Sequence, residues 1–424
     1  MSKFQRAAFF IRSYNDTDHF APLIAEFIVR NENPLVIVYT DFDYENDYRF
    51  KYLISLGKVE IIKDIDKGFV NYLKKKKFFN KLLNKLYLIK RNKKNFIGKL
   101  YRKLFFNCKK QINVLRDKEI GVCAFEWGTP FERGDKLEKY FIAAKGMGIT
   151  TIAIPHGCNV FLNSDVTTGY RKLMEKGIIP EKTDLSLFDY YILQNPIRRD
   201  GHIKWGLDPM KTQAWGSLRF YPDWAEKNRK ICPKFELEQN EKTKVVFMQF
   251  QKEYNIFNKE IFETLKKISL IKDISLVVKD ATREGKEYYD KNKTSGLLGK
   301  SLVGWFGNDV HSPALVNWAD IVIVIGGSIG IEAILQNKIL VYPIYLNSNH
   351  TLYEYYDACY CPKNDTELDK LIKDKIKGAK FPQKSGANDL LKEIVYAGNE
   401  EYNVPQKYYE IFKSKNLRYS KIIS

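Results

Sequence analysis

The sequence predicts an α/β protein built on two open parallel sheets. Three observations carry that prediction. Short apolar runs alternate with helix-spaced segments and polar turns along most of the chain, the signature of strand–helix–strand units. One run, residues 321–325, is apolar throughout, as a strand covered on both faces requires, and it turns at Gly326-Gly327-Ser328 into a helix-like stretch at 330–336. The 424 residues exceed what one core organises and imply two domains of about 200 residues each.

Composition narrows the class. Hydrophobic residues at 44% with aromatics at 14% exclude a chain disordered throughout. Six cysteines lack paired spacing, and Cys359 and Cys361, one residue apart, suit neither a zinc knuckle nor a thioredoxin-like pair, so a reduced, cytosolic setting is expected. The apolar run at 7–11 is ended by Arg12, so no signal peptide is expected, and no window is apolar enough to span a membrane. The net charge of +19 is concentrated: residues 67–116 hold 17 Lys or Arg and no acid. Such a field favours an anionic partner.

In the first half, strands are predicted at 7–11, 35–39, 59–62, 122–125, 151–154, 189–193 and 212–215, with helices at 20–29, 136–147 and 197–205. Ligands of open α/β sheets sit beyond the carboxyl ends of strands. The polar loop read at 12–19 is therefore a candidate site, with Asp16, Asp18 or His19 able to deprotonate a hydroxyl, unless one of them only caps the next helix. Glu126, at a strand end beside Trp127, competes for the same role or is a solvated loop acid. His156, between Pro155 and Gly157 at another strand end, is placed to donate to a phosphate or a sugar carboxylate. Asp41 and Asp43 read as a surface turn. Within 67–116, Phe79, Leu82, Leu83, Leu86 and Ile89, then Phe96, Ile97, Leu100, Leu104 and Phe105, recur at helical spacing among lysines. That pattern suits an interfacial helix on an anionic bilayer or an apolar stripe packed on the core; no RNA-binding motif is present.

A linker-like interval from Pro222 to Lys244 follows, so the boundary is placed at 215/216. The second half repeats the alternation, with strands at 245–249, 274–278, 302–305, 321–325 and 339–342 and helices at 258–268, 312–318, 366–376 and 408–415. Lys279 and Arg283, at and just beyond a strand end, are a phosphate-binding pair or ordinary surface cations. His311 precedes a helix that Ser312 is expected to cap, with Pro313 at its first position. The glycine turn allows close backbone approach, and the helix start after it offers N–H groups to an anion. Glu332 lies within reach of a hydroxyl pair such as a ribose.

Pro155-His156-Gly157, the 312–318 helix before Ala319-Asp320, and Gly327-Ser328-Ile329-Gly330-Ile331-Glu332 together resemble the GT-B glycosyltransferases of bacterial surface-polysaccharide synthesis. These include the Kdo transferases of capsule and lipopolysaccharide and, more distantly, the polyol-phosphate transferases of teichoic acid synthesis. The resemblance covers roughly residues 151–343. It implies two Rossmann-like domains facing across a cleft: an acceptor-side domain at 1–215 with the basic insertion at about 67–116, a nucleotide-sugar-binding domain at 216–385, and a tail at 386–424 that packs back on the first domain. By the same resemblance Gly327 and Ser328 meet the donor phosphate, Glu332 the ribose and His311 the nucleotide. Members often carry a lysine followed closely by histidine and proline after the second strand of this domain; here Lys279-Asp280-Ala281-Thr282-Arg283 has neither, leaving Arg283 to substitute.

The expected activity is an inverting, metal-independent transfer from a nucleotide-activated sugar, CMP-Kdo being preferred on the likeness alone, to a glycan or glycolipid acceptor. No tightly bound cofactor and no nucleic-acid partner are expected. The protein is expected to be cytoplasmic and peripheral on the anionic inner face of the cell membrane, held by the basic segment. A UDP-sugar 2-epimerase and a non-catalytic polyanion-binding protein are the alternatives.

Overall fold

The computed structural model describes residues 6–64, 108–126, 135–155, 157–163, 165–178, 186–237, 242–280, 294–307 and 309–423. The chain opens with β1 (Arg6–Ile11), α1 (Tyr14–Val29), β2 (Leu35–Val38), α2 (Tyr48–Ser55) and β3 (Glu60–Lys63). It continues through α3 (Lys109–Asp117), β4 (Ile120–Glu126), α4 (Asp135–Gly146), β5 (Thr150–Ile154), α5 (Thr168–Met174), β6 (Tyr190–Leu193), α6 (Pro196–Lys204) and β7 (Thr212–Ala214). Then come α7 (Pro222–Ile231), β8 (Thr243–Met248), α8 (Asn258–Ser269), β9 (Ile274–Lys279), β10 (Leu302–Phe306), α9 (Ser312–Trp318), β11 (Ile321–Val324), α10 (Ile329–Leu335) and β12 (Ile339–Val341). Four helices close the chain: α11 (Leu352–Tyr355), α12 (Asp365–Ile376), α13 (Gly386–Tyr396) and α14 (Val404–Ile423).

The strands form two sheets, ordered β3-β2-β1-β4-β5-β6-β7 and β10-β9-β8-β11-β12. Strand pairs in both are parallel. Parallel strands need crossover connections, and the helices supply them, covering the sheet faces. In the second sheet Val246, Met248, Val322 and Val324 feed one apolar cluster, while Val245, Phe247, Ile321 and Ile323 feed the other. This alternation is the two-residue period of a strand buried on both sides. In the first sheet Phe10 stacks on Phe125 at 4.6 Å between ring centroids, and its neighbour Phe9 meets Phe20, Phe27 and Phe412.

The chain packs as two compact units. One comprises residues 1–156, 184–192 and 405–424, and the other 157–183 and 193–404. The packing thus departs from the expected cuts at 215/216 and 385/386. The segment after β5 is tied into the second unit by hydrogen bonds from Leu162 N to His350 O and from Thr168 N to Glu253 O. α13 buries Leu390 and Ile394 in the second unit's core. α14 belongs to the first unit, where Tyr409 Oη and Lys413 Nζ both donate to Glu32 Oε1, at 2.8 and 2.7 Å. Of the basic segment, residues 67–107 lie outside the described residues, and Cys108 and α3 take up the rest.

Two local expectations need correction. Residues 14–19 are the first turns of α1, not a loop. The acidic Asp16 that reads as loop polarity is instead suited to a helix N-terminus. The interval at 222–231 is the helix α7, with Pro222 at its start and Trp224, Ala225 and Asn228 buried. Proline at that position begins helices rather than breaking them.

Candidate functional site

In each sheet the strand order reverses at one point, between β1 and β4 in the first and between β8 and β11 in the second. Such switch points are where open α/β sheets leave a crevice beyond the strand ends.

In the first unit the centre is Arg12, the residue after β1. Its backbone N–H donates to Asp16 Oδ2 at 2.7 Å, so Asp16 reaches back from the first turn of α1 to hold the chain entering the helix. The Arg12 guanidinium reaches across to the end of β4, where Nη2 donates to Glu126 Oε1 at 3.2 Å; Nε lies 3.9 Å from Asp16 Oδ2. Glu126 stands 114 residues further along the chain than Arg12, yet it and Asp16 are drawn to one guanidinium, and both are buried. Tyr39, just past β2, faces the same group. Burial and then the Asp16 and Glu126 carboxylates push its phenol well above the usual tyrosine range, so it stays a donor. Its hydroxyl is buried with no hydrogen-bond partner among the described residues, and so is Ser13 Oγ.

Asp18 goes elsewhere. It pairs with Arg49, whose guanidinium also grips Asp47, the N-cap of α2, through Nε at 3.0 Å to Oδ1. His19 is buried on α1. His156 lies outside the described residues. Asp41 and Asp43 are exposed, as a surface turn requires. Of the expected proton acceptors, then, Asp16 and Glu126 are brought together at Arg12, and Asp18 is held by Arg49. Sequence reading places Arg12 in the candidate loop without its role as the partner of both acids, and misses Tyr39. An aromatic at a strand end reads as core, and nothing local signals that its phenol feels the charges of Asp16, Glu126 and Arg12.

In the second unit β11 runs into the glycine turn. Gly326 has φ of +133°, and a Cβ there would stand 2.6 Å from Phe161 Cζ, so both conformation and contact demand glycine. Phe161 lies 5.8 Å from Phe250 and 5.8 Å from Tyr254, centroid to centroid, which walls one side of the turn with rings. Asn349 locks that wall, donating through Nδ2 to Val166 O and Tyr254 O at 3.1 and 2.9 Å. Tyr353 Oη donates to Gly327 O at 2.9 Å and fixes the peptide from inside.

The other side of the turn is less tightly packed. A Cβ on Gly327 would stand in ordinary contact with Ile329 Cγ2 and Phe250 Cδ2, both at 3.7 Å, and Gly327 and Ser328 are half-buried. Ser328 is the N-cap of α10 without a side-chain cap bond. α10 has only seven residues, so approachable backbone and hydroxyl, more than a long dipole, characterise this turn. Glu332 is buried in α10 and accepts from Gln336 Nε2 at 3.0 Å. Lys279 ends β9 buried, its ammonium donating to Gly307 O. Asp280 beside it accepts from Trp305 Nε1 at 2.6 Å. His311 is half-buried as the N-cap of α9, so Ser312 is the first helical residue rather than the cap. Arg283 lies outside the described residues. No group of three or more metal-ligating side chains occurs among the described residues.

No family model matches the sequence, and no curated protein matches it. Solved structures do match, over nearly the whole chain. The Neisseria meningitidis UDP-GlcNAc 2-epimerase, bound to UDP-GlcNAc, superposes with a TM-score of 0.56 at 12% identity, covering 96% of this chain and 100% of its own. Anabaena HepE, in complex with UDP and glucose, gives 0.56 at 13% identity, covering 97% and 100%. A glycosyltransferase from Rickettsia africae gives 0.54 at 13%, covering 97% and 98%. The fold is that of the GT-B proteins. At such identity the likeness reaches the architecture alone.

Proposed function

We propose that this protein acts on a nucleotide-activated sugar, transferring the sugar to a hydroxyl of a glycan or glycolipid acceptor. The observation that carries the reading is the half-buried Gly327-Ser328 turn at the second sheet's switch point, in a fold whose solved neighbours hold UDP and UDP-sugars. In this reading the turn takes the donor's diphosphate, where a close backbone and a hydroxyl stabilise the charge of the departing nucleotide. Glu332, with His311 and Lys279, completes the nucleotide's surroundings; Arg283 is assigned there on sequence alone. In the first unit Glu126 or Asp16 accepts the proton of the attacking hydroxyl. Arg12 holds both carboxyls in place for that step.

For the donor, the UDP-bound neighbours favour a UDP-linked sugar over the CMP-Kdo expected from the sequence likeness. Epimerisation at C2 of a UDP-sugar is the second reading, favoured by the epimerase among those neighbours. Attachment to an anionic membrane face through the basic segment belongs to the proposal on sequence grounds; no helix among the described residues is long and apolar enough to cross a membrane. Two incubations separate the readings. UDP-sugar alone, analysed for its C2 epimer, yields that epimer only if the protein is an epimerase. UDP-sugar with a glycolipid acceptor yields an extended glycan only if it is a transferase, and a negative result in both rejects the proposal.

A further inference from the structure

One motif of the second unit, Cys359-Tyr360-Cys361, lies outside the chemistry proposed above. Tyr360 pairs in parallel with β12, its N–H donating to Leu340 O at 3.0 Å and its carbonyl accepting from Tyr342 N at 2.9 Å. Side chains of a chain held this way alternate between faces, so positions 359 and 361 share one face and Tyr360 takes the other. Accordingly the Tyr360 ring meets Phe381 at 5.3 Å between centroids, while Cys359 Sγ and Cys361 Sγ stand 3.6 Å apart. The two thiols are in contact, and a disulfide of about 2.05 Å needs only a short further approach. A cavity of about 240 Å³, lined in part by Cys359, Tyr360, Phe381 and Lys384, leaves the segment room to adjust. The two sulfurs differ in surroundings. Cys359 is 2% exposed, and burial first, then the contact with Cys361, raises its thiol well above the usual range, so it rests protonated. Cys361 is half-buried, whereas Cys108, Cys123, Cys158 and Cys232 are buried.

We propose that Cys359 and Cys361 are a reversible oxidation site, closed to a disulfide by a hydroperoxide and reopened by a dithiol. First the Cys361 sulfur attacks a peroxide oxygen. The S–O bond forms, the O–O bond breaks, and the products are a sulfenic acid and water or an alcohol. The Cys359 sulfur then attacks the Cys361 sulfur. The S–S bond forms, the S–O bond breaks, and the departing hydroxide takes the Cys359 proton and leaves as water. The two thiols give up two electrons and two protons, and the peroxide is reduced by the same two electrons. A dithiol returns them by exchange through a mixed disulfide, becoming a disulfide itself. This chemistry is independent of nucleotide binding.

The test is peptide mapping of the folded full chain after timed exposure to hydrogen peroxide, followed by denaturation and alkylation with N-ethylmaleimide. Both cysteines fall in one tryptic peptide, 339–363. That peptide is expected to become two hydrogens lighter and refractory to alkylation, at least about tenfold faster than the other four cysteines are modified. Dithiothreitol is expected to restore both thiols. Cys359→Ser should leave Cys361 as a sulfenic acid that dimedone traps, and Cys361→Ser, at the half-buried position, should abolish the disulfide. The wild-type map decides by itself if the Cys359 variant fails to fold. Three results would overturn the proposal: both thiols still alkylated after the other cysteines have been oxidised, Cys361 passing to sulfinic acid while Cys359 stays a thiol, or either sulfur paired with a different cysteine.

Discussion

Arg12 serves two carboxyl groups with two different parts of itself, the backbone N–H for Asp16 and the guanidinium for Glu126. If either acid is the proton acceptor, amide replacement removes the basic oxygen while leaving the shape. Glu126→Gln or Asp16→Asn, whichever is the base, should lower kcat by roughly 10²–10⁴-fold, with UDP affinity unchanged by calorimetry. Both variants retaining full turnover would place the base elsewhere. Glu393 gives a separate prediction on stability. Burial raises its carboxyl above the usual value, although it accepts from Ile197 N at 3.2 Å at the start of α6. A carboxyl whose folded pKa is raised binds more protons folded than unfolded, so stability falls as pH rises from about 4.3, the unfolded value, through the raised folded one. Glu393→Gln should flatten that part of the stability–pH curve in denaturant titrations. A curve unchanged from wild type would assign the slope to other groups. At this scale the sequence reveals residue types but not company: Glu126 is legible as a strand-end acid, whereas its meeting with Arg12 depends on β1 and β4 being neighbours across more than a hundred residues.

Elements are most legible where composition speaks locally. β11 is apolar at every position and bounded by Asp320 and a double glycine, so its place and its turn follow from the sequence. The start of α1 is hidden because Asn15, Asp16 and Asp18 look like a loop, and α7 because its apolar residues are sparse among charges. The glycines of the turn divide by what surrounds them. Gly326→Ala must relieve both a left-handed backbone and the Phe161 ring, and should destabilise the second unit by about 1–3 kcal/mol, seen as a lower denaturation midpoint. An unaltered midpoint would mean that the ring moves aside without cost. The C-terminal helix offers a parallel test in the first unit. Phe412 is fully buried against Phe9 and Phe27, and Phe412→Ala should cost about 3–5 kcal/mol. A loss under about 1 kcal/mol would mean that α14 adds little to that core.

For the whole molecule, the two-sheet α/β architecture was legible because a parallel strand buried on both faces is a nearly continuous apolar run, and such runs mark most of the strands, β3 and β7 excepted. The path between units was not legible. That the segment after β5 joins the second unit rests on backbone hydrogen bonds such as Leu162 N to His350 O and side-chain ones such as Asn163 Nδ2 to Asn349 Oδ1, both at 2.9 Å, which leave no periodic trace. The net charge is likewise a property of the whole chain with a local source at 67–116. Replacing the lysines at 74–77 and 81 with glutamine should release the protein from phosphatidylserine vesicles at physiological salt, each charge near an anionic surface being worth about 1 kcal/mol. Unchanged sedimentation with vesicles would make the segment a solvated face.

The assignment of the nucleotide to the second unit is tested most directly by calorimetric titration of UDP into the wild-type chain and Gly327→Ala. Position 327 has room for a methyl, with its nearest neighbours 3.7 Å from the added carbon, so the variant should keep wild-type stability. Wild type is expected to bind UDP, and the variant, whose added methyl stands on the backbone that a diphosphate would approach, to bind at least about tenfold more weakly. Absence of UDP binding in the wild type, or equal affinity in the two proteins, would contradict the assignment.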